Sequence, residues 1–270
     1  MTRPVGPPLT DLLAGKAVLV SGGTRGVGGA VAEAALREGA RVVVTGRRRD
    51  VGERFVTEAE ERSTGGGEIR FVGCDVADVE QARAAVAGTV AAYGGVDCLV
   101  NAAGLTTRGT LLDTSPELLA QHLATNLTGP FILMQETVRD LLRRGVPGTI
   151  VNILSTSAHG GQPYLAPYVA AKAGLAALTR NAAYAHRFDR IRINGLNIGW
   201  TETEGEDAIQ RRFHGAGDDW VARAGAQLPM GRLGQVDEIA DAVVFLLSER
   251  SGVVTGALLD WDQTVLGAHD

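Results

Sequence analysis

Cysteine is scarce in this chain. Its 270 residues hold two, Cys74 and Cys98, each inside an apolar segment that reads as a strand end. That excludes a disulfide framework and fits buried, reduced thiols in a cytoplasmic protein. Histidine is nearly as sparse: five copies lie scattered without ligand spacing, so no metal site is expected. An excess of one charge is lacking too. A net charge of −5 gives no electrostatic case for nucleic acid or an anionic membrane as partner. No apolar run approaches the roughly 20 residues that span a bilayer, and the start lacks a signal peptide's charged-then-apolar pattern. Aromatic residues are 5% of the chain, so its helices must pack through Ala and Val rather than large rings.

What the chain does have is glycine, 36 residues of it, within a composition that is 45% hydrophobic. The length suits one α/β domain. Residues 1–12, with Pro4, Pro7 and Pro8 and no periodicity, read as a loose tail; 13–270 read as a single domain without an internal linker. Apolar runs alternate with helical stretches. Strands are expected at 17–21, 41–45, 69–73, 96–100, 148–154, 191–198 and about 257–261. Helices are expected at 30–38, 50–63, 79–93, 118–142, 168–188 and 237–247. The alternation predicts a doubly wound three-layer sandwich of Rossmann type, a predominantly parallel seven-stranded sheet with helices on both faces. Residues 204–227 are polar, Gly-interrupted and only weakly helical, which predicts a mobile flap.

The first strand runs into Ser21-Gly22-Gly23-Thr24-Arg25-Gly26-Val27-Gly28 and then a helix. Strand, glycine turn and helix N-terminus form the context of a dinucleotide site, where backbone must approach the pyrophosphate closely. At the end of the second strand, NAD sites usually carry a carboxylate for the ribose 2′-OH. Here Gly46 and Arg47 stand instead, with Arg25 inside the loop, so NADP(H) is favoured and NAD(H) is the alternative.

Further along, Tyr168 and Lys172 lie four residues apart on a helix and therefore share a face. A nearby ammonium is expected to pull a phenol's pKa down toward the range where acid–base catalysis is efficient. Asn126 lies in mid-helix, where Asn disfavours regular geometry; facing a cleft, it would disturb the helix and hold a water.

With these pieces in order, residues 14–265 resemble the short-chain dehydrogenase/reductase family. The resemblance rests on the Ser21–Gly28 loop, on Asp75-Val76, on Asn101-Ala102-Ala103-Gly104, on Ser155 thirteen residues before Tyr168, and on Gly199 to Thr203. It implies a catalytic tetrad of Asn126, Ser155, Tyr168 and Lys172. It also implies a cofactor site made by Gly22, Thr24, Arg25, Gly26, Val27, Gly28, Arg47, Asp75, Val76, Asn101, Ala102, Gly104, Tyr168, Lys172, Gly199, Thr201 and Thr203. In those roles Tyr168 exchanges a proton with the substrate oxygen, Lys172 lowers the pKa of Tyr168, Ser155 hydrogen-bonds the oxygen and Asn126 anchors a water. Ile198 departs from the family's usual Pro, and Asp260-Trp261-Asp262 replaces its common Asp-Gly-Gly.

The family's pocket segments here contain His159, Gln162, Tyr164, Leu165, Trp200, His214 and Trp220. This polar and aromatic mixture suggests a hydroxylated small molecule: a sugar, polyol or cyclitol. A 3-oxoacyl-carrier-protein reductase is the rival within the class, with Arg139, Arg143 and Arg144 as a face for an acidic carrier. A non-catalytic NADP(H) sensor or scaffold is the rival outside it. A homotetramer is the expected assembly, a dimer the alternative.

Overall fold

The computed structural model describes residues 11–63 and 66–265. Most of the expected tail lies outside these residues. Its last two do not: Asp11 and Leu12 are described, and the Leu12 N–H is held by Glu38 Oε2 at 2.9 Å.

Seven strands build one sheet: β1 (Ala17–Ser21), β2 (Arg41–Gly46), β3 (Glu68–Gly73), β4 (Cys98–Asn101), β5 (Gly148–Ser155), β6 (Ile191–Ile198) and β7 (Leu258–Trp261). Their order is β3-β2-β1-β4-β5-β6-β7, and every pairing is parallel. Parallel strands are covered on both faces, and β1 reads Ala-Val-Leu-Val-Ser, buried throughout. Side-chain alternation sends its residues to opposite sides. Val18 and Val20 join one core cluster with helices α1 (Gly26–Arg37), α2 (Arg49–Arg62) and α9 (Val236–Leu247). Ala17 and Leu19 join the other, with α3 (Val79–Tyr93), α5 (Gly129–Arg144) and α6 (Ala166–Ala185). Cys98 belongs to the first cluster and Cys74 to the second, so the two free thiols lie on opposite faces of the sheet. The architecture is the expected doubly wound Rossmann-type sandwich.

The order reverses between β1 and β4, whose last residues Ser21 and Asn101 are register partners. A crevice opens beyond the carboxyl ends of strands at such a reversal. Two local departures shape it. The expected helix over 118–142 is α4 (Pro116–Leu123) joined to α5 by one π turn, Ala124–Thr128, with Asn126 at its middle and fully buried. The disturbance read from an Asn in mid-helix takes this form. Gly129 follows because a Cβ there would run into the Val76 carbonyl.

The flap over 204–227 is more ordered than its composition suggested. It forms α7 (Glu204–His214) and a short α8 (Trp220–Gly225). Thr203 Oγ1 caps α7 by accepting from the Glu206 N–H at 3.0 Å, and Glu204, Glu206 and Asp207 sit at its positive end. Trp220, Ala224 and Leu233 make a small apolar cluster that anchors the segment. Among the described residues no helix is long and apolar enough to cross a membrane.

Candidate active site

A cleft of about 890 Å³ runs along the carboxyl ends of the strands. One end is made of backbone. The sharp turn after β1 needs positive φ at Gly22 (+70°) and Gly26 (+53°), which glycine adopts without strain. A Cβ on Gly22 would lie 2.6 Å from Ala103 Cα, and one on Gly28 would strike the Gly22 carbonyl. Helix α1 begins here without a side-chain cap and without an acid in its first turn. Its first N–H groups and its dipole are left for an anion. Arg25, Arg47 and Arg48 line the same end. These features fit a dinucleotide phosphate: bare N–H donors, cations that pair with no carboxylate among the described residues, and space only glycine leaves. Asp75 and Val76, Ala102 and Gly104, Thr24 and Val27, and Gly199, Thr201 and Thr203 also line the cleft. Asp75 doubles as a turn former, its Oδ1 accepting from the Ala77 N–H at 3.1 Å.

Asn101, expected at the cofactor, is not among the residues lining the cleft. It is buried beneath the cleft, where its Nδ2 donates to Asn152 Oδ1 (2.8 Å) and Asn152 donates to Thr179 Oγ1 (2.9 Å). This chain of side chains ties β4 and β5 to α6, the helix bearing Tyr168.

The other end is made of side chains. β5 delivers Ser155, and α6, started by Pro167 in its first turn, delivers Tyr168 and Lys172 one turn apart; all three line the cleft. Ser155 Oγ donates to Ser157 Oγ (3.0 Å) and Ser157 Oγ to Gln162 Oε1 (2.5 Å), while the Ser157 N–H donates to Ser155 Oγ (3.1 Å). Asn126 stands behind this group. Its Oδ1 accepts from the Leu105 N–H and its Nδ2 donates to the Leu105 carbonyl, both at 2.9 Å. The remaining amide hydrogen faces His122 Nδ1 at 3.3 Å. Both amide hydrogens are thus directed at protein groups, while Oδ1 keeps a second lone pair for a further donor; the π turn is a place where main-chain groups are loosened.

Lys172 and Tyr168 also depart from expectation. Lys172 is 4% exposed and donates to the Ile153 carbonyl at 2.7 Å. Burial pushes its ammonium down to about 8. Its Nζ lies 5.7 Å from the Tyr168 ring centroid. Burial pushes the Tyr168 phenol up to about 12, against the opposing pull of the Ser155 hydroxyl. The ammonium was expected to lower that phenol; here its charge is engaged by the Ile153 carbonyl, and burial is the largest influence on Tyr168.

Of the seven residues expected at a substrate wall, Gln162, Tyr164, Leu165, Trp200 and His214 line the cleft. His159 and Trp220 do not. His159 turns to Asp260 Oδ1 (3.3 Å), which also accepts from Asn197 Nδ2 (2.7 Å). Trp220 stacks behind Trp200, ring centroids 6.0 Å apart, and its Nε1 donates to Asp207 Oδ1 at 2.7 Å. The residues that replace the family's Asp-Gly-Gly thus brace the floor: Asp260 as described, and Asp262 against Gly199, where a Cβ would collide with its carboxylate. Ile198 completes β6 in place of a proline, paired with Trp261.

Three residues escaped the sequence reading. Arg108 lines the cleft between Tyr164 and His214. Ser157 links Ser155 to Gln162. His122, fully buried, has its Nε2 2.9 Å from Thr107 Oγ1, and burial lowers its pKa. Because Asn126 presents a donor to Nδ1, the neutral imidazole carries its proton on Nε2. Arg108 is marked by no spacing because His214 lies 106 residues away, and the short-range contacts of Ser157 and His122 match no motif. Among the described residues no cluster of His, Cys, Asp and Glu could hold a metal.

Comparison with known proteins identifies the family. Residues 22–263 match a family model described as enoyl-(acyl carrier protein) reductase. The L-rhamnose 1-dehydrogenase (NAD(P)(+)) of Azotobacter vinelandii is 36% identical over 253 residues, covering 92% of this chain and 95% of that protein. The trans-4-hydroxycyclohexanecarboxylate dehydrogenase of Sinomonas cyclohexanicum is 34% identical, covering 94% of each. A crystal structure of a variant actinorhodin polyketide ketoreductase with NADPH superposes with a TM-score of 0.86 at 31% identity, covering 92% of this chain and 96% of the other. This chain belongs to the short-chain dehydrogenase/reductase family and is an NAD(P)-dependent oxidoreductase of its alcohol dehydrogenase and ketoreductase type.

Proposed function

We propose that the enzyme interconverts a polar secondary alcohol and its ketone, with Tyr168 as the general acid and base and NADP(H) as the preferred dinucleotide. The observation that carries this reading is the meeting of Ser155, Tyr168 and Lys172 on the wall of the glycine-lined cleft. When bound, the dinucleotide supplies the hydride acceptor or donor and, in its oxidised form, a ring cation that favours the phenolate. The protein handles the proton. In the reducing direction Tyr168, protonated at neutral pH, gives its proton to the oxygen of the ketone as that oxygen gains negative charge. In the oxidising direction the alcohol loses a hydride from carbon and its O–H proton to the Tyr168 oxygen. Ser155 stabilises the oxygen by a hydrogen bond. Lys172, held by Ile153, supplies positive potential, and Asn126 fixes the π turn beside the cleft against Leu105.

Gly22, Gly26 and Gly28 with the α1 N-terminus would hold the pyrophosphate, and Arg25, Arg47 and Arg48 the 2′-phosphate; no carboxylate pairs with these three arginines among the described residues. Gln162, Tyr164, Leu165, Trp200 and His214 suit a hydroxylated ring or chain, in keeping with the sugar and cyclohexane alcohols of the named relatives. The acyl-carrier reading loses its docking face. Arg139 pairs with Glu136 (2.7 Å), Arg143 with Asp140 (2.5 Å) and Arg144 with Asp97 (2.9 Å), so the helix end is internally neutralised. We place the enzyme in the cytoplasm as a single catalytic domain, and as a homotetramer or dimer. Edge strand β7 leaves Leu259 and Trp261 39% and 44% exposed, with Phe245 of α9 47% exposed.

The test is Tyr168→Phe. NADPH titration is expected to show affinity unchanged within about threefold, while turnover of a secondary alcohol panel falls by about 10³-fold. Undiminished turnover removes the role of Tyr168. Wild-type protein that binds NADPH and turns over no alcohol or ketone favours a sensor.

A further inference from the structure

Arg108 lies on the loop after β4, four residues past Gly104, and is half-buried in the cleft. Its backbone is bolted to the segment that starts α6. The Gly109 N–H donates to the Tyr164 carbonyl and the Gly109 carbonyl accepts from the Ala166 N–H, both at 3.0 Å, as an isolated bridge between Gly109 and Leu165. Leu165 precedes Tyr168 by three residues, so the position of the guanidinium is set relative to the reacting oxygen by two hydrogen bonds and one turn of helix.

The side chain is aimed but not neutralised. Its guanidinium lies over the Tyr164 ring, 5.3 Å from the centroid. Nη1 donates to the Thr106 carbonyl at 3.0 Å, and Nε and Nη2 share the single lone pair of His214 Nε2 at 3.3 Å. An arginine has five N–H donors, so two remain without a partner among the described residues. None of its partners is a carboxylate. The acid lining this end, Glu206, commits Oε1 to Trp200 Nε1 (2.9 Å) and Gln210 Nε2 (2.8 Å). The His214 ring packs edge-on to Tyr164 with centroids 5.7 Å apart. Arginines elsewhere on this chain, such as Arg144, Arg211 and Arg232, are paired with carboxylates. Partial desolvation without a counter-charge is costly, and the cost is recovered when a ligand brings the charge.

We infer that Arg108 anchors a carboxylate on the substrate, so that the alcohol or ketone reacting at Tyr168 is a hydroxy or oxo acid. A planar two-oxygen anion suits the two free N–H groups of a fork already oriented by Tyr164, Thr106 and His214. The inference rests on the reading of Tyr168 as the reacting acid and base, and it narrows the substrate from polar to anionic. It also gives α7 a role. His214, the last residue of that helix, completes the wall around Arg108, so the flap would close over the charged end of the substrate.

Two acid–amide pairs test this: 4-hydroxycyclohexanecarboxylate with its primary amide, and gluconate with gluconamide. Each pair keeps its skeleton and changes only the charge. Wild-type protein is expected to prefer at least one acid over its amide by about tenfold or more in kcat/KM. In Arg108→Leu the preference falls to within about twofold of unity, with the change in the KM of the acid, and Arg108→Lys restores part of it. Because both members of a pair are read on one protein sample, a folding defect cancels. Equal use of acid and amide by the wild type, or a preference that survives Arg108→Leu, overturns the inference. If neither member of either pair reacts, calorimetric titration of each into NADP-loaded protein decides. Acid-selective binding lost in Arg108→Leu upholds the anchor and counts against the reaction assigned to Tyr168. Binding without selectivity, or no binding, overturns the anchor.

Discussion

The two ends of the cleft are built by opposite means. At the β1–β2 end the working groups are main-chain N–H groups and the space left by absent side chains at Gly22 and Gly28, with exposed arginines around them. At the β5–α6 end they are side chains out of water: Lys172 is 4% exposed, Ser155 9% and Asn126 0%. Lys172 and Asn126 are held by groups from other parts of the chain, Ile153 and Leu105, and Ser155 by its near neighbour Ser157. The first end costs the fold little, because glycine in a positive-φ turn is unstrained and a surface arginine stays hydrated. The second end carries a desolvation cost that sequence-distant neighbours only partly offset. On the function proposed above, binding is thus placed where folding is cheap and proton chemistry where it is expensive.

Lys172→Met should expose this difference most strongly. Turnover is expected to fall by about 10²–10⁴-fold, since the variant loses the cation beside Tyr168. Stability should move the other way. The lysine titrates at about 8 in the folded protein against an ordinary 10.5, so between those values the unfolded chain binds the extra proton. Wild-type stability therefore rises with pH through this window and carries its full penalty below about 8. Removing the charge should stabilise the protein by up to about 3 kcal/mol at pH 7, with the gap closing toward pH 10.5. Urea midpoints of both proteins from pH 6.5 to 10.5 provide the measurement. A variant less stable than wild type at pH 7 would mean that the bond to Ile153 outweighs the desolvation, and the comparison would lose its costly end.

The glycine end calls for the reverse pattern. In Gly28→Val the new side chain meets the Gly22 carbonyl and Ala102 Cβ, closing the space beside the α1 N-terminus. NADPH affinity, read by fluorescence titration, is expected to drop by about 100-fold or more, because a phosphate that cannot approach the N–H groups loses several charge-assisted hydrogen bonds. The pH dependence of stability should stay that of the wild type, since no titrating group lies in the altered contact. Near-normal NADPH binding would show that the turn can relax and that the bare backbone is not the determinant.

The same division explains how far the site could be read from sequence. The phosphate turn was legible because its requirement is local: glycines at fixed spacing between a strand and a helix. The sheet was legible for a similar reason, as runs such as Val18-Leu19-Val20 bury on both faces and set a strand without reference to anything distant. Tyr168, Lys172 and Ser155 could be found because helix periodicity and a fixed offset link them. Arg108, Ser157 and His122 could not. Arg108 is placed by Gly109 pairing with Leu165 56 residues later in the numbering. His122 matters because Asn126 opens a π turn, and no propensity scale anticipates which side chain the turn will face. Local rules likewise misplaced His159 and Trp220, which the segment pattern put in the wall and which packing turns toward Asp260 and Asp207. The helical order of α7 escaped for the same reason, since the Thr203 cap and the Trp220 cluster act across loops.

The smallest effect belongs to the exposed charges. Arg47 is solvent-exposed at the end of β2, with Arg48 beside it and Arg25 across the turn. Each would meet a 2′-phosphate in high dielectric, so no single one is decisive. Arg47→Ala is expected to lower the NADPH to NADH ratio of kcat/KM by about tenfold at low ionic strength, most of it in KM for NADPH. Raising salt to about 0.5 M should shrink that difference to a few-fold, because the Debye length then falls below the spacing of these side chains from a bound phosphate. The buried end predicts no such softening: the loss in Lys172→Met should be nearly independent of salt, since ions do not enter the space between Lys172 and Tyr168. A ratio unchanged in Arg47→Ala removes the preference for NADP(H). A change that persists at high salt would place Arg47 in a desolvated contact and erase the contrast between the two ends.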